Sequence, residues 1–151
     1  MTDETTPTAP AMPSEASQFD FWLGDWDVNW ADGLSATNHI RKVLGDRVVQ
    51  EDFDGERDAQ LHGLSVSVCG MDGRWRQTWV DNQGGYFALI GGPEGDDFVL
   101  TSYRVSDNTP AQRMVFTDIG AHSLTWRWQR TTDSGATWSD SWVIYYTRRP
   151  G

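Results

Sequence analysis

Phe19-Asp20-Phe21-Trp22-Leu23-Gly24-Asp25-Trp26-Asp27-Val28-Asn29-Trp30 is the stretch that decides how this chain is read. From residue 22 to residue 30 every second position is Trp, Gly, Trp, Val, Trp, while Asp25, Asp27 and Asn29 stand between them. Side chains of an extended strand alternate between its two faces, so this two-residue period predicts a strand with one face buried and its acids outside. Gly24, lacking a Cβ, permits a sharp bend at the mouth of that strand, with Trp26 plugging the end of a sheet that closes on itself.

The same alternation runs through the rest of the chain. Residues 36 to 44, 48 to 53 and 61 to 69 read as strands, parted by the turn pairs Asp32-Gly33, Gly45-Asp46 and Asp54-Gly55. In the last of these, Leu61, Gly63, Ser65, Ser67 and Cys69 fall on one side and His62, Leu64, Val66 and Val68 on the other. Residues 74 to 80, 86 to 90, 98 to 105, 112 to 117, 123 to 131 and 138 to 148 complete the set, separated by turn signals such as Gly91-Gly92-Pro93 and Asp133-Ser134-Gly135. Short links make consecutive strands antiparallel neighbours, and closure removes the exposed edges. The predicted fold is all-β, an antiparallel up-and-down β-barrel of about ten strands, with a two-sheet sandwich as the alternative. No helical periodicity persists over about ten residues, although residues 14 to 21 allow a short turn of helix.

The charge balance narrows the partners. With 12 Lys and Arg against 22 Asp and Glu, the chain carries a formal charge of -10, which repels phosphate backbones and anionic lipid surfaces. Neither nucleic acid nor a membrane is therefore an expected partner. Nowhere do about eighteen apolar residues run together, so no membrane span is expected. Cys69 is the single cysteine, which rules out an intramolecular disulfide, makes a cysteine zinc site unexpected and fits a reducing cytoplasm. Residues 1 to 18, rich in Pro, Thr, Ser and acids, read as a disordered tail ahead of one domain over residues 19 to 149.

Nine tryptophans for this length is the other strong signal, because they recur two or four apart and so stack along one side of a strand. Trp26 and Trp30 bracket Val28, Trp75 and Trp79 bracket Gln77, and Trp126 and Trp128 share a face that Arg130 continues. Such rings either fill a core or line a cavity where flat surfaces grip a ligand. Polar residues in phase with them, Gln77, Arg113, Arg130 and Tyr146, are costly in a dry interior and favour a partly wet lumen. The candidate ligand-binding wall is therefore Trp26, Trp30, Trp75, Gln77, Trp79, Trp126, Trp128 and Tyr146, with Arg113 or Arg130 orienting the polar end of a small hydrophobic or aromatic molecule.

Several motifs in order carry a family resemblance over roughly residues 19 to 149. Residues 19 to 26 match an opening Phe-Asp-Phe-Trp-x-Gly-x-Trp, Glu51 and Phe53 match a Glu-x-Phe strand end, and residues 75 to 81 match Trp-x-Gln-x-Trp-Val-Asp. Residues 131 to 138 match a closing Ser-x-Asp-Gly-Gly-x-Thr-Trp hairpin, with Thr131 and Ser134 in place of its usual Ser and Gly. The chain thus resembles uncharacterised bacterial lipocalin-like proteins, which implies a calycin-type barrel similar to lipocalins and fatty-acid-binding proteins and brings no assigned reaction. The Gly-x-Trp-x-Gly-x-Gly opening of the haem-binding nitrobindins is absent.

The expected function is that of an intracellular binding protein, with no cofactor or metal called for and a homodimer left open. An enzyme acting on a hydrophobic metabolite in the same lumen is one alternative, and needs at least two titratable groups converging inside. A haem or nitric-oxide barrel is another, for which His122 is the best-placed axial ligand among His39, His62 and His122. Catalytic residues are not identified, since no Gly-x-Ser-x-Gly is present and Glu51, Asp52 and Asp81 lie at predicted strand ends. Tyr146 and Arg148, two apart on the last strand, form a reversed version of the carboxylate-holding pair of fatty-acid-binding barrels. The hairpin with Asp133 also resembles the Asp-box of sialidase propellers, where the aspartate ties down the turn.

Overall fold

The computed structural model describes residues 8 to 150. Ten strands follow one another: β1 (Gly24–Asn29), β2 (Ser35–Val43), β3 (Val48–Gly55), β4 (Leu61–Cys69), β5 (Trp75–Asp81), β6 (Tyr86–Glu94), β7 (Asp97–Tyr103), β8 (Pro110–Thr117), β9 (Ser123–Arg130) and β10 (Ser139–Arg148). Each is antiparallel to its neighbours in sequence, and β1 also pairs with β10, Trp26 opposite Arg148 and Val28 opposite Tyr146. The meander is therefore the predicted closed up-and-down barrel, without the free edges of a sandwich. A single helical turn, α1 (Glu56–Ala59), joins β3 to β4 at the rim.

The opening stretch departs from the predicted single strand. Asp20–Trp22 is a 3-10 turn, and β1 begins only at Gly24, whose φ of 126° breaks the extended run. Phe19 and Trp22 are thereby folded under one end of the barrel as a stopper. Phe19 stacks between Trp22 and Phe98, with centroids at 4.7 and 4.3 Å, and meets Trp75 and Phe116 edge-on. Each such aromatic pair adds about 0.5 to 1.5 kcal/mol to the gain from burial alone.

Arg148 holds the stopper in place. Its guanidinium donates to the carbonyl oxygens of Phe21, Leu23 and Ala121 and lies 4.2 Å over the Trp26 ring. An ideal Cβ on Gly24 would sit 2.6 Å from Arg148 Nη1, so glycine is needed there for the clamp as well as for the bend. The Tyr146 and Arg148 pair therefore does not form the carboxylate grip expected of it: Arg148 is occupied by main-chain carbonyls at the closed end. The first seven residues of the segment read as a disordered tail lie outside the described residues. Part of the remainder is docked, with Ser14–Ser17 in a 3-10 turn and Gln18 Oε1 accepting from Trp75 Nε1 at 3.3 Å.

β4 shows what decides its facing. Gly63, Ser65, Ser67 and Cys69 point inward while Leu64, Val66 and Val68 are exposed, the reverse of what polarity alone suggests. The reason lies on β5, whose large side chains occupy the space in front of β4. A Cβ on Gly63 would lie 2.0 Å from the Trp79 ring, and Gln77 donates to Ser67 Oγ at 2.9 Å. At the β9–β10 turn, Asp133 accepts from Thr131 Oγ1 and from the backbone N–H and hydroxyl of Thr137, while Gly135 takes a φ of 93°. That hairpin is a structural device.

Candidate functional site

Opposite the stopper the barrel is hollow. A cavity of about 230 Å³ occupies the half that holds the start of β4 and the end of β5. Its wall is aromatic: Trp126 and Trp128 run parallel at 6.2 Å, Trp142 stands edge-on to Trp126, and Phe87 edge-on to Trp128 at 4.9 Å. Phe53 meets both Trp79 and Trp142 edge-on at 6.3 Å, while Leu89, Met114 and Ile144 fill the gaps between rings. Leu61, Asp81 and Gln83 stand at the mouth.

Asp81 fixes the rim. Its carboxylate accepts from Trp79 Nε1 at 2.8 Å and from the backbone N–H groups of Gln83 and Gly85 at 2.9 and 2.8 Å. Burial alone would raise this carboxyl, but those donors outweigh it and hold it below the usual carboxylate range, so Asp81 is ionised at neutral pH.

The floor is polar, and adjacent strands build it. Glu51 on β3 is buried, accepting from Asn38 Nδ2 of β2 at 2.7 Å and from Ser65 Oγ of β4 at 2.7 Å. The same Asn38 nitrogen donates to Tyr146 Oη of β10 at 2.8 Å, so one amide ties the carboxyl to the phenol. Burial pushes Glu51 up to about 7, against the pull of its two donors. Burial above all, then the Glu51 charge, raises Tyr146 far beyond the ordinary phenol value, which keeps its O–H as a donor. Asn38 Oδ1 is buried with no partner among the described residues, and Trp22 Nε1, beside Tyr146, makes no hydrogen bond of ordinary geometry. An unpaired buried polar group costs about 1 to 3 kcal/mol, and Trp22, Glu51 and Tyr146 bring this polar cluster to the cavity wall.

The residues expected in the wall divide four ways. Trp79, Trp126, Trp128 and Tyr146 line the cavity. Trp26, Trp75 and Gln77 face inward but are buried in the filled, closed half, where Trp26 Nε1 donates to Trp22 O. Trp30 packs edge-on against Trp142 at 5.2 Å by the rim, and Arg130 is exposed at the end of β9. Arg113 is a correction: it lies outside, donating to Gln129 Oε1 and stacked 4.2 Å from the Trp138 ring. β8 buries both Val115 and Phe116, so its period could not tell the two faces apart.

Glu51, Asn38 and Ser65 are not among the site residues the sequence predicts, and Glu51 lies in the middle of β3 and not at a strand end. The usable signal was its phase in β3, where Val49, Glu51 and Phe53 alternate with Gln50, Asp52 and Asp54. The histidines stay outside the lumen. His39 and His62 pair with Asp25 and Asp52 at 2.7 Å on the outer face, and His122 is exposed at the closed end, where its carbonyl accepts from Arg148 N. His122 is therefore not an axial ligand for a group held in the cavity. A scan against protein-family models and a search of curated proteins both found no match to this chain.

Proposed function

We propose that this chain is an intracellular, lipocalin-like binding protein for a small aromatic or apolar molecule with one polar end. The observation that carries the reading is the half-filled barrel: one end stopped by the chain's own aromatic turn, the other a cavity walled by indoles over an incompletely paired polar floor. Its volume of about 230 Å³ exceeds the roughly 150 Å³ cavity that takes up benzene and falls below the roughly 300 Å³ at which drug-sized pockets begin. A guest of one or two fused rings fits that interval. Naphthalene, titrated while indole emission is followed, is expected to quench the wild type. Trp128→Ala is expected to respond more weakly at equal folded fraction. Unchanged emission in the wild type, together with native mass spectrometry that finds no copurifying small molecule, refutes the receptor reading.

A second reading is enzymatic, favoured by Glu51 and Tyr146 meeting on one Asn38 nitrogen. A carboxyl at about 7 exchanges protons readily at neutral pH, and a neutral phenol donates to a developing enolate oxygen. Together they suit proton transfer beside the carbonyl of a hydrophobic ketone. Deuterium wash-in at that position, followed by NMR with phenylacetone, is expected to be faster with the wild type than with Glu51→Gln. Equal rates dispose of this reading.

A further inference from the structure

Resting on the receptor reading, we propose that the guest is an organic cation: an amine on a small aromatic body, its ammonium facing Glu51 and its ring held among Trp79, Trp126, Trp128 and Trp142. The charges around the hollow point that way. Among the described residues, Glu51 and Asp81 line it and no Lys, Arg or His does. Arg113 and Arg130, expected to orient the polar end of a guest, lie outside and at the rim. An anionic guest would meet two carboxylates with no counter-charge.

Glu51 also has room for the contact. Each oxygen accepts one bond, from Ser65 and from Asn38, and an ionised carboxylate offers about four acceptor sites. A buried carboxylate with no cation is unstable, and an ammonium supplies what the neighbours do not. The groups facing Glu51 from packed strands are Asn38, Ser65 and Tyr146, none of them charged at neutral pH; Asp52, next along β3, turns outward to His62. The aromatic wall adds its own preference, since ring faces are the negative part of the quadrupole and attract cations. Asp81 at the mouth and the net charge of -10 draw cations toward the opening.

The test compares three probes of nearly equal shape, phenethylamine, phenethyl alcohol and phenylacetate, by calorimetry at pH 8 and pH 5.5 and constant ionic strength, with naphthalene as the apolar reference. At pH 8 the amine is expected to bind at least about tenfold tighter than the alcohol, with phenylacetate weakest. At pH 5.5 Glu51 keeps its proton in the free protein, and the amine's advantage should shrink about tenfold or more. Glu51→Gln should bring the amine-to-alcohol ratio close to one while alcohol binding persists. If naphthalene and the alcohol bind but the amine gains nothing, or phenylacetate binds best, the cation assignment is overturned and the receptor reading stands. If neither naphthalene nor any of the three probes binds, both fall.

Discussion

Glu51→Gln isolates the buried carboxyl at the floor of the cavity. Folding raises that group from an ordinary value of 4.5 to about 7, a shift worth roughly 3 kcal/mol at about 1.4 kcal/mol per unit. Below about pH 4.5 it is protonated in both folded and unfolded chains and contributes no pH dependence. Between the two values the unfolded chain has lost its proton and the folded chain keeps it, so stability falls as pH rises, and above about pH 7 the full roughly 3 kcal/mol is gone. Gln keeps the shape and can still accept from Asn38, but cannot ionise. Urea unfolding of both proteins from pH 5 to pH 8 should show the variant gaining roughly 3 kcal/mol on the wild type across the interval, about 6 to 12 °C in Tm for a domain of this size. His62, raised chiefly by its hydrogen bond with Asp52, also loses its contribution as pH rises, but does so in both proteins and cancels in the comparison. Stability curves that run parallel from pH 5 to pH 8 would refute a desolvated Glu51, and with it the polar floor as described.

Three further substitutions probe the frame around that floor. Gly63→Ala puts a methyl group into the Trp79 ring, so a loss of about 1 to 3 kcal/mol and a changed near-UV signature are expected; full stability would mean the ring does not lie on β4. Arg148→Met removes the bonds to three main-chain carbonyls and the stack on Trp26, and should cost about 2 to 4 kcal/mol in urea unfolding; a cost under about 0.5 kcal/mol would show that the clamp is idle. Phe19→Ala empties the centre of the stopper and is expected to cost about 3 to 5 kcal/mol, with faster hydrogen exchange at the start of β1 than at the open rim; uniform exchange at both ends would contradict the filled-and-hollow division.

The alternation from Trp26 to Val28, the small-residue phase of β4 and the Gly and Asp turns were sufficient for a ten-strand barrel, because each depends on neighbours close in sequence or on a period of two. Which half is hollow depends on contacts a linear pattern cannot carry. Trp26, Trp75, Trp126 and Trp128 share the same periodic signature, yet the first two are sealed beneath Phe19 and Trp22 while the last two face the cavity. Arg113 was misread because both faces of β8 carry apolar residues. Glu51 lies inside β3 because the strand runs on to Gly55, past the Asp54-Gly55 pair that reads as its turn, and only its phase between Val49 and Phe53 marks it as inward in the sequence.

Arg148 reaches back across more than a hundred residues to Phe21 and Leu23, in the turn just ahead of β1, the strand that must also zip against β10. As the chain leaves the ribosome, β1 therefore waits for its second partner until the final strand emerges. Through that interval both β1 and β9 offer bare backbone to other chains, and the indoles remain wet. Such long-range closure is slow by topology alone, so protection of the nascent chain matters most just before β10 arrives.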